Sequence, residues 1–286
     1  TNYKATRVKL LSSLKGVSKT EILILMNKRN AKIFDAYRIN VVTGETKMIF
    51  KNPGNFVSFL ADHKGNLRLA TSTDGVNNSY FYRDIGKETF RKVMTLNFKQ
   101  SFTPVLFDKK NRYVYGLSNL KRDTSAVIKI NPKSGRILKT IFKNRNYDIT
   151  ALNYSEKTKN LIGAGYTDWK LRYHFFDKKF KRIYDSIKRQ VQGREIHIPS
   201  TDDSENLLVV KAVGDRTRGQ YYLYNDKTKS LELLLDSSPW LKEELLSEMK
   251  PIKYRSRDGL VINGYLTVPK GKLAKDLPVV INPHGG

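Results

Sequence analysis

The chain has 286 residues, of which 39% are hydrophobic and 11% aromatic, so a sizeable core is expected and a disordered chain is excluded. Lysine and arginine number 53 against 27 acidic residues, a net charge of +26, and there is no cysteine. Disulfides and thiolate metal sites are therefore excluded.

The excess positive charge would suit nucleic acid, anionic lipid or an acidic ligand. The basic residues are scattered, however, and small clusters such as 108–112, 142–146 and 177–182 lie between alternating apolar segments. Hairpin turns belong at such positions, so we interpret the clusters as solvated turns. We expect no nucleic-acid partner.

The longest apolar run, at 22–26, is too short to span a membrane, which takes about 20 residues. The chain starts at Thr1 and shows no charged-then-apolar leader. We expect that the targeting region is missing, which leaves the compartment open between bacterial periplasm and cytoplasm.

A repeated pattern of strand, polar turn and strand runs through most of the chain. It occurs in the segments 33–50, 57–72, 79–96, 103–118, 125–142, 150–165, 172–187, 196–211 and 220–235. Two such hairpins make a period of roughly 45 residues with four strands, which is typical of propeller blades. A first hairpin within 7–26 would complete about five blades.

The predicted fold class is therefore an all-β propeller of four-stranded blades over 1–236. A β-sandwich or barrel remains the alternative, since sandwiches also place strands at intervals of about 8 to 12 residues. Constant repetition of one hairpin favours the propeller. We expect the native protein to have seven or eight blades, with further blades before Thr1.

The pattern changes near residue 237. The segment 237–249 is predicted to form a helix that Ser238 caps, with Leu241, Leu245, Leu246 and Met249 on one face. We interpret 237–250 as a helical linker, with Trp240 packed at a domain junction.

Three strands are predicted after the linker. Asp258-Gly259 is a turn signal between two of them, and Val279–Ile281 is apolar throughout, as in a strand buried on both faces. The segment 251–286 thus resembles the start of an α/β domain that is cut off.

The motifs "RDGLVINGYLTVPKG" (257–271) and "PVVINPHGG" (278–286), together with the propeller repeat, resemble the prolyl oligopeptidase family of serine peptidases, in particular its acylaminoacyl-peptidase-like bacterial branch. The resemblance implies a propeller that caps an α/β-hydrolase domain. It also implies cleavage of oligopeptides or acyl-peptides through an acyl-enzyme, with a Ser-Asp-His triad and no cofactor.

In that family the triad follows the HGG segment, and the sequence contains no G-x-S-x-G. We therefore expect no catalytic residue in this chain, and we expect the chain alone to be inactive. The resemblance implies that His284, Gly285 and Gly286 form the oxyanion loop.

Relatives often hold the substrate terminus with propeller residues that face the hydrolase domain, and Arg216 and Arg218 are the candidates here. His63, His174 and His197 are separate and lack a carboxylate constellation, so no metal site is expected. The alternatives are a stand-alone propeller that binds an acidic protein or ligand, and an esterase of the same fold.

Overall fold

The computed structural model describes residues 6–283, which fall into two compact units, one up to Phe180 and one from Lys181 onward. The described residues form twenty-one strands, one α-helix and one short 3-10 helix. All strand pairs are antiparallel, and the strands follow one another in chain order within each sheet.

The first unit contains four sheets. Sheet 1 consists of β1 (Val8–Ser12), β2 (Glu21–Asn30), β3 (Ile33–Asn40) and β4 (Thr46–Phe50). Sheet 2 consists of β5 (Phe56–Ala61), β6 (Leu67–Thr73), β7 (Asn78–Tyr82) and β8 (Arg91–Leu96). Sheet 3 consists of β9 (Phe102–Phe107), β10 (Val114–Ser118), β11 (Ala126–Ile130) and β12 (Ile137–Lys143). Sheet 4 has three strands, β13 (Ile149–Tyr154), β14 (Leu161–Thr167) and β15 (Leu171–Phe175).

Helix α1 (Lys178–Gln190) follows sheet 4. The second unit contains sheet 5, which consists of β16 (Glu195–Thr201), β17 (Leu207–Gly214), β18 (Thr217–Asn225) and β19 (Ser230–Asp236). A 3-10 helix (Glu243–Leu245) and a separate hairpin of β20 (Met249–Arg255) and β21 (Val261–Thr267) complete the unit. The predicted fold class, a propeller with four-stranded blades, is confirmed.

Apolar side chains on both faces of the strands hold the sheets of the first unit together. In β6, Leu69 packs in a cluster with sheet 3, whereas its neighbour Ala70 packs in a cluster with sheet 1. In β11, Ile128 faces sheet 2 and Val127 faces sheet 4. Successive side chains of a strand point to opposite faces, so sheets 2 and 3 each contribute to two cores.

The turn between the first and second strands of a sheet, here called the A–B turn, recurs with one chemistry. Asp62, Asp108 and Asp202 each accept hydrogen bonds from backbone N–H groups four residues further on, at 2.8 to 3.0 Å. Each turn also contains a residue with left-handed backbone, Gly65 at φ 83°, and Asn111 and Glu205 near 55°. The aspartate carboxylate satisfies the backbone N–H groups of the turn, which stabilises its compact conformation.

The A–B turns of the first unit also contact each other. The backbone N–H of His63 donates to Asn111 Oδ1 at 3.0 Å, and its Nε2 bonds to the Phe107 carbonyl at 2.9 Å. Lys159 Nζ donates to the Lys15 carbonyl at 3.5 Å, which joins the turns of sheets 4 and 1. Polar contacts therefore link the A–B turn of sheet 2 to sheet 3, and the A–B turn of sheet 4 to that of sheet 1.

The segment 172–187 does not form a hairpin, so that prediction is wrong in its second half. Asp177 Oδ1 accepts the backbone N–H of Phe180 at 3.0 Å, an N-cap interaction, and α1 begins at Lys178. Phe180, Ile183 and Ile187 are buried at helical spacing. The alternating pattern therefore ends with β15, and the residues after it follow a helical pattern because one face of α1 is buried.

Three further predictions are wrong. The segment 237–249 is not an α-helix: it contains the 3-10 helix Glu243–Leu245, and Trp240 is 68% exposed rather than packed. A short helix needs tertiary packing to be stable in water, and this one has no buried residue. Val279–Ile281 is not a strand, because no neighbouring strand pairs with it within residues 6–283.

Gly65→Ala tests the contact between sheets 1 and 2. A Cβ at Gly65 would lie 2.8 Å from the Leu14 side chain, and Leu14 is itself buried. We expect a loss of about 2–3 kcal/mol in the free energy of unfolding, from left-handed strain and overpacking together. The matched control Gly86→Ala, at φ 77° with open space around it, should lose about 1 kcal/mol. Equal losses in urea denaturation would contradict the packing argument.

His63 makes the first unit sensitive to acid. Burial and, less strongly, the charge of Lys159 lower the pKa of His63 below its ordinary value, against the raising effect of the Phe107 carbonyl. The folded protein therefore keeps His63 neutral while the unfolded chain binds a proton, so stability is lost as pH falls through about 6.5. We expect the urea midpoint to fall between pH 7.5 and 5.5. His63→Gln keeps a donor but cannot titrate and should reduce that fall; an unchanged fall would show that other groups cause it.

Candidate functional site

Arg216, one of the two arginines predicted to contact substrate, lies in the turn between β17 and β18, and Arg218 lies at the start of β18; both are exposed. The adjacent Asp215 accepts the backbone N–H of Met249 through Oδ2 at 2.7 Å. This bond ties the turn to the first residue of β20. Sheet 5 therefore contacts the β20–β21 hairpin through the turn that carries Arg216.

A cleft of about 330 Å³ opens beside this turn and lies wholly within the second unit. We call it the Arg216 cleft. Its other lining residues come from the start of β20, the end of β21 and the segments that flank them: Leu246, Ser247, Glu248, Lys250, Leu266, Val268, Pro269, Lys270, Gly271 and Lys272. Arg218 does not line this cleft, so the structure brings only one of the two predicted arginines to it.

The Arg216 cleft carries four cationic side chains, those of Arg216, Lys250, Lys270 and Lys272, against the single carboxylate of Glu248. Lys270 Nζ also donates to the Glu244 carbonyl. A concave surface with such an excess of positive charge attracts carboxylates. Among the described residues that line the cleft there is no histidine, so the arrangement suits binding and orientation rather than proton transfer.

Sequence reasoning missed the three lysines of the Arg216 cleft. The signal for two of them was present, because Pro269 to Lys275 is a short polar loop that follows directly on a strand. The third, Lys250, was placed in the linker. Their convergence with Arg216 depends on the pairing of β20 with β21, where Lys250 lies opposite Leu266.

The linker between sheet 5 and the hairpin is anchored by polar contacts. Asp236 accepts the Ser238 backbone N–H and the Gln220 side chain, both at 2.8 Å, and these bonds lower the pKa of Asp236. Arg194 Nη2 forms an ion pair with Glu243 Oε1 at 2.6 Å. These contacts hold the 3-10 helix to sheet 5 and so position the strand that follows it.

The remaining predicted residues do not add to the site. His284, Gly285 and Gly286, predicted to form the oxyanion loop, lie outside the described residues. His174 stacks on Phe142 with ring centroids 4.1 Å apart, which is a packing role. Within residues 6–283 there is no group of three His, Cys, Asp or Glu side chains that could hold a metal, and no helix there is long and apolar enough to cross a bilayer.

No family model matches the chain. Two curated proteins are similar in sequence. Dipeptidyl peptidase family member 6 of Caenorhabditis elegans is 23% identical over 259 residues, which cover 87% of this chain and 35% of that protein. Dipeptidyl aminopeptidase BIII of Pseudoxanthomonas mexicana is 21% identical over 274 residues, which cover 93% of this chain and 40% of that protein. The chain thus spans well under half the length of these relatives.

Solved structures share the fold. Prolyl oligopeptidase B of Galerina marginata aligns with a TM-score of 0.57 at 13% identity, over 93% of this chain and 39% of that chain. A puromycin hydrolase aligns with a TM-score of 0.62 at 8% identity, over 96% of this chain and 45% of that chain.

Glu243→Gln tests how the linker is held. The substitution removes the ion pair of the Arg194 guanidinium with Glu243. The other terminal nitrogen, Nη1, has no hydrogen-bond partner among the described residues and so offers no replacement contact. If the ion pair contributes about 1 kcal/mol to the closed state of the linker, its loss should make the opened state about fivefold more populated. Limited trypsin cleavage after Lys242 should accelerate accordingly.

Glu232→Gln in the outer strand β19 removes the same charge at an exposed position and serves as the control for that measurement. Equal acceleration in both variants would mean that the ion pair does not hold the linker.

The sequence relatives are dipeptidyl peptidases, and the structural neighbours have the propeller fold of prolyl oligopeptidases, so the predicted resemblance of this chain to the prolyl oligopeptidase family of peptidases is confirmed.

Proposed function

We propose that this chain is the substrate-gating propeller portion of a serine peptidase, joined to the first strands of its α/β-hydrolase domain. In this assignment 1–236 form the propeller portion, 237–250 the linker, and 251–286 the start of the hydrolase domain. The peptidase relatives support the general activity. The observation that carries the assignment of 251–286 is the exposed apolar surface of the hairpin and of the segment that follows it.

The β20–β21 hairpin exposes apolar side chains along both strands. Tyr254 is 56%, Val261 54% and Tyr265 48% exposed, and Val280 beyond the hairpin is 93% exposed. A two-stranded hairpin is marginally stable alone in water. In the register of β20 with β21, Tyr254 lies on one face, whereas Val261 and Tyr265 lie on the other, so apolar side chains are exposed on both faces. The hairpin would be stabilised, and these side chains buried, if it joined a larger sheet with other elements packed on its faces. The proposal is that the hydrolase domain supplies it.

Within that domain, His284, Gly285 and Gly286 would form the oxyanion loop. Backbone N–H groups there would stabilise the negative charge that develops on the scissile carbonyl oxygen. Glycine permits close approach of the backbone to that oxygen. The serine, aspartate and histidine of the triad would come from the remainder of the hydrolase domain, and the serine would form the acyl-enzyme.

The Arg216 cleft supports a role in substrate selection. Its four cations and one carboxylate favour a peptide's carboxyl terminus over its amino terminus. The arginine fork can bind a carboxylate through two parallel hydrogen bonds. We assign Arg216 to that terminus and Arg218, which lies outside the cleft, to a weaker contact with the same substrate.

The experiment compares the protein expressed from its complete open reading frame, here called the full-length protein, with the 286-residue chain. We expect the full-length protein to react with a fluorophosphonate probe and to cleave peptidyl nitroanilides, and the chain alone to do neither. Cleavage by the chain alone, or a full-length protein that lacks a reactive serine, would overturn the proposal. Turnover of acyl esters without peptides would instead identify an esterase.

Arg216→Ala in the full-length protein tests the cleft. For peptides with a free carboxyl terminus we expect KM to rise about tenfold with kcat unchanged, because a charge-assisted contact to the substrate is lost. Peptides with an amidated carboxyl terminus should show no change. Arg145→Ala, at an exposed turn of the first unit, is the matched control. A KM increase that is equal for amidated peptides would exclude carboxylate binding by Arg216.

A further inference from the structure

A second cleft lies in the first unit, between sheets 2 and 3, and has a volume of about 470 Å³. We call it the basic cleft. The A–B turns of both sheets form it together with their turns between the third and fourth strands. Its lining residues are Asp62, Lys64, Arg68, Tyr82, Ile85, Lys110, Asn111, Arg112, Tyr113, Asn131 and Lys133.

The floor of the basic cleft is rigid and electrically neutral. The Arg68 side chain is 7% exposed and pairs with Asp62 Oδ2 at 3.2 Å. Its Nε donates to the Arg83 carbonyl at 2.9 Å, and its Nη2 donates to the Tyr82 hydroxyl. These bonds occupy the guanidinium fork, so the floor contributes shape and a fixed surface rather than free charge.

The rim of the basic cleft carries four exposed cations, Lys64, Lys110, Arg112 and Lys133. Lys133 pairs with Asp84 at 2.8 Å. Among the residues that the structure describes, no carboxylate lies within ion-pair distance of the other three. The cleft therefore presents about three uncompensated positive charges on one concave surface.

This convergence is not a property of a single turn. Lys64 belongs to the A–B turn of sheet 2, Lys110 and Arg112 to the A–B turn of sheet 3, and Lys133 to the turn between the third and fourth strands of sheet 3. The contact of His63 with Asn111 fixes the spacing of the two A–B turns. Cations that look like separate solvated turns in the sequence thus share one cleft, and their mutual repulsion is relieved only by a bound anion or by salt.

The aromatic rings of the basic cleft already face cations of the protein. Lys129 Nζ lies 4.7 Å from the centre of the Tyr113 ring, and the Arg68 guanidinium carbon lies 5.1 Å from that of Tyr82. These cations already occupy one face of each ring. The charges, rather than the rings, are available to a ligand.

We propose that the basic cleft binds a compact oligophosphate. Three uncompensated cations match an anion of three or more charges, and phosphate oxygens concentrate that charge within the span of a small cleft. The Arg112 fork can bind phosphate oxygens through paired hydrogen bonds, while lysine ammonium groups act as mobile point charges. The residues that line this cleft are all different from those of the Arg216 cleft.

Calorimetric titration of the 286-residue chain with sodium triphosphate tests the proposal. We expect saturable binding of one triphosphate at 50 mM salt and a strong loss of affinity at 300 mM salt. Citrate, a trivalent carboxylate, should bind at least tenfold more weakly. Citrate binding as tight as triphosphate binding would overturn the phosphate assignment, and no saturable binding at low salt would overturn the site.

Paired variants locate the binding. Lys110→Gln with Arg112→Gln should weaken triphosphate binding at least tenfold. Lys47→Gln with Lys139→Gln, on outer strands, changes the net charge equally and should leave the affinity within twofold. Equal effects of the two pairs would show attraction by net charge alone and refute the site.

A second measurement does not depend on variants. Bound triphosphate should protect Lys64, Lys110 and Lys133 from acetylation, as read by mass spectrometry, and should leave Lys47 and Lys139 unprotected. Uniform protection of all five lysines would also refute the site.

Discussion

The architecture of the first unit depends on one constraint: sheets 1 to 3 have buried apolar side chains on both faces, and such a sheet is stable only when both faces are covered. Leu25 of β2 packs toward sheet 2, whereas the adjacent Ile24 and Met26 are buried in a separate cluster on the other face of sheet 1. Leu69 and Ala70 divide in the same way in sheet 2. A single sheet of this kind cannot bury both of its apolar faces alone. Several repeats must therefore stack for any one of them to be stable.

Stacking in turn brings the A–B turns of neighbouring sheets together, and their chemistry follows from that proximity. Each turn satisfies its backbone N–H groups through its own aspartate or serine, which leaves its other side chains available to the next turn. Asn111 and Lys159, both with left-handed backbone, use theirs to bond to a neighbouring turn.

The repeat was predictable from the sequence because alternation and turn residues are local signals. Two local readings failed for different reasons. Alternation in β15 concealed the capped helix α1, although Asp177 and the spacing of Phe180, Ile183 and Ile187 were visible. The segment 237–249 has a helical pattern but lacks a surface to pack on, and pattern without burial does not stabilise a helix. Arg216 was found from the sequence, but the convergence of lysines around it was not, since it depends on strand register.

The net charge of +26 also cannot show which charged side chains come together in the fold. Summed over the sequence, it states only that the chain repels itself and attracts anions in general. The structure distributes it unevenly: some cations are neutralised, as Arg68 is by Asp62 and Arg29 by Asp35. Others accumulate on concave surfaces where turns of different sheets meet. Specific recognition arises from that second group, because only there do several unpaired charges act on one ligand at short range.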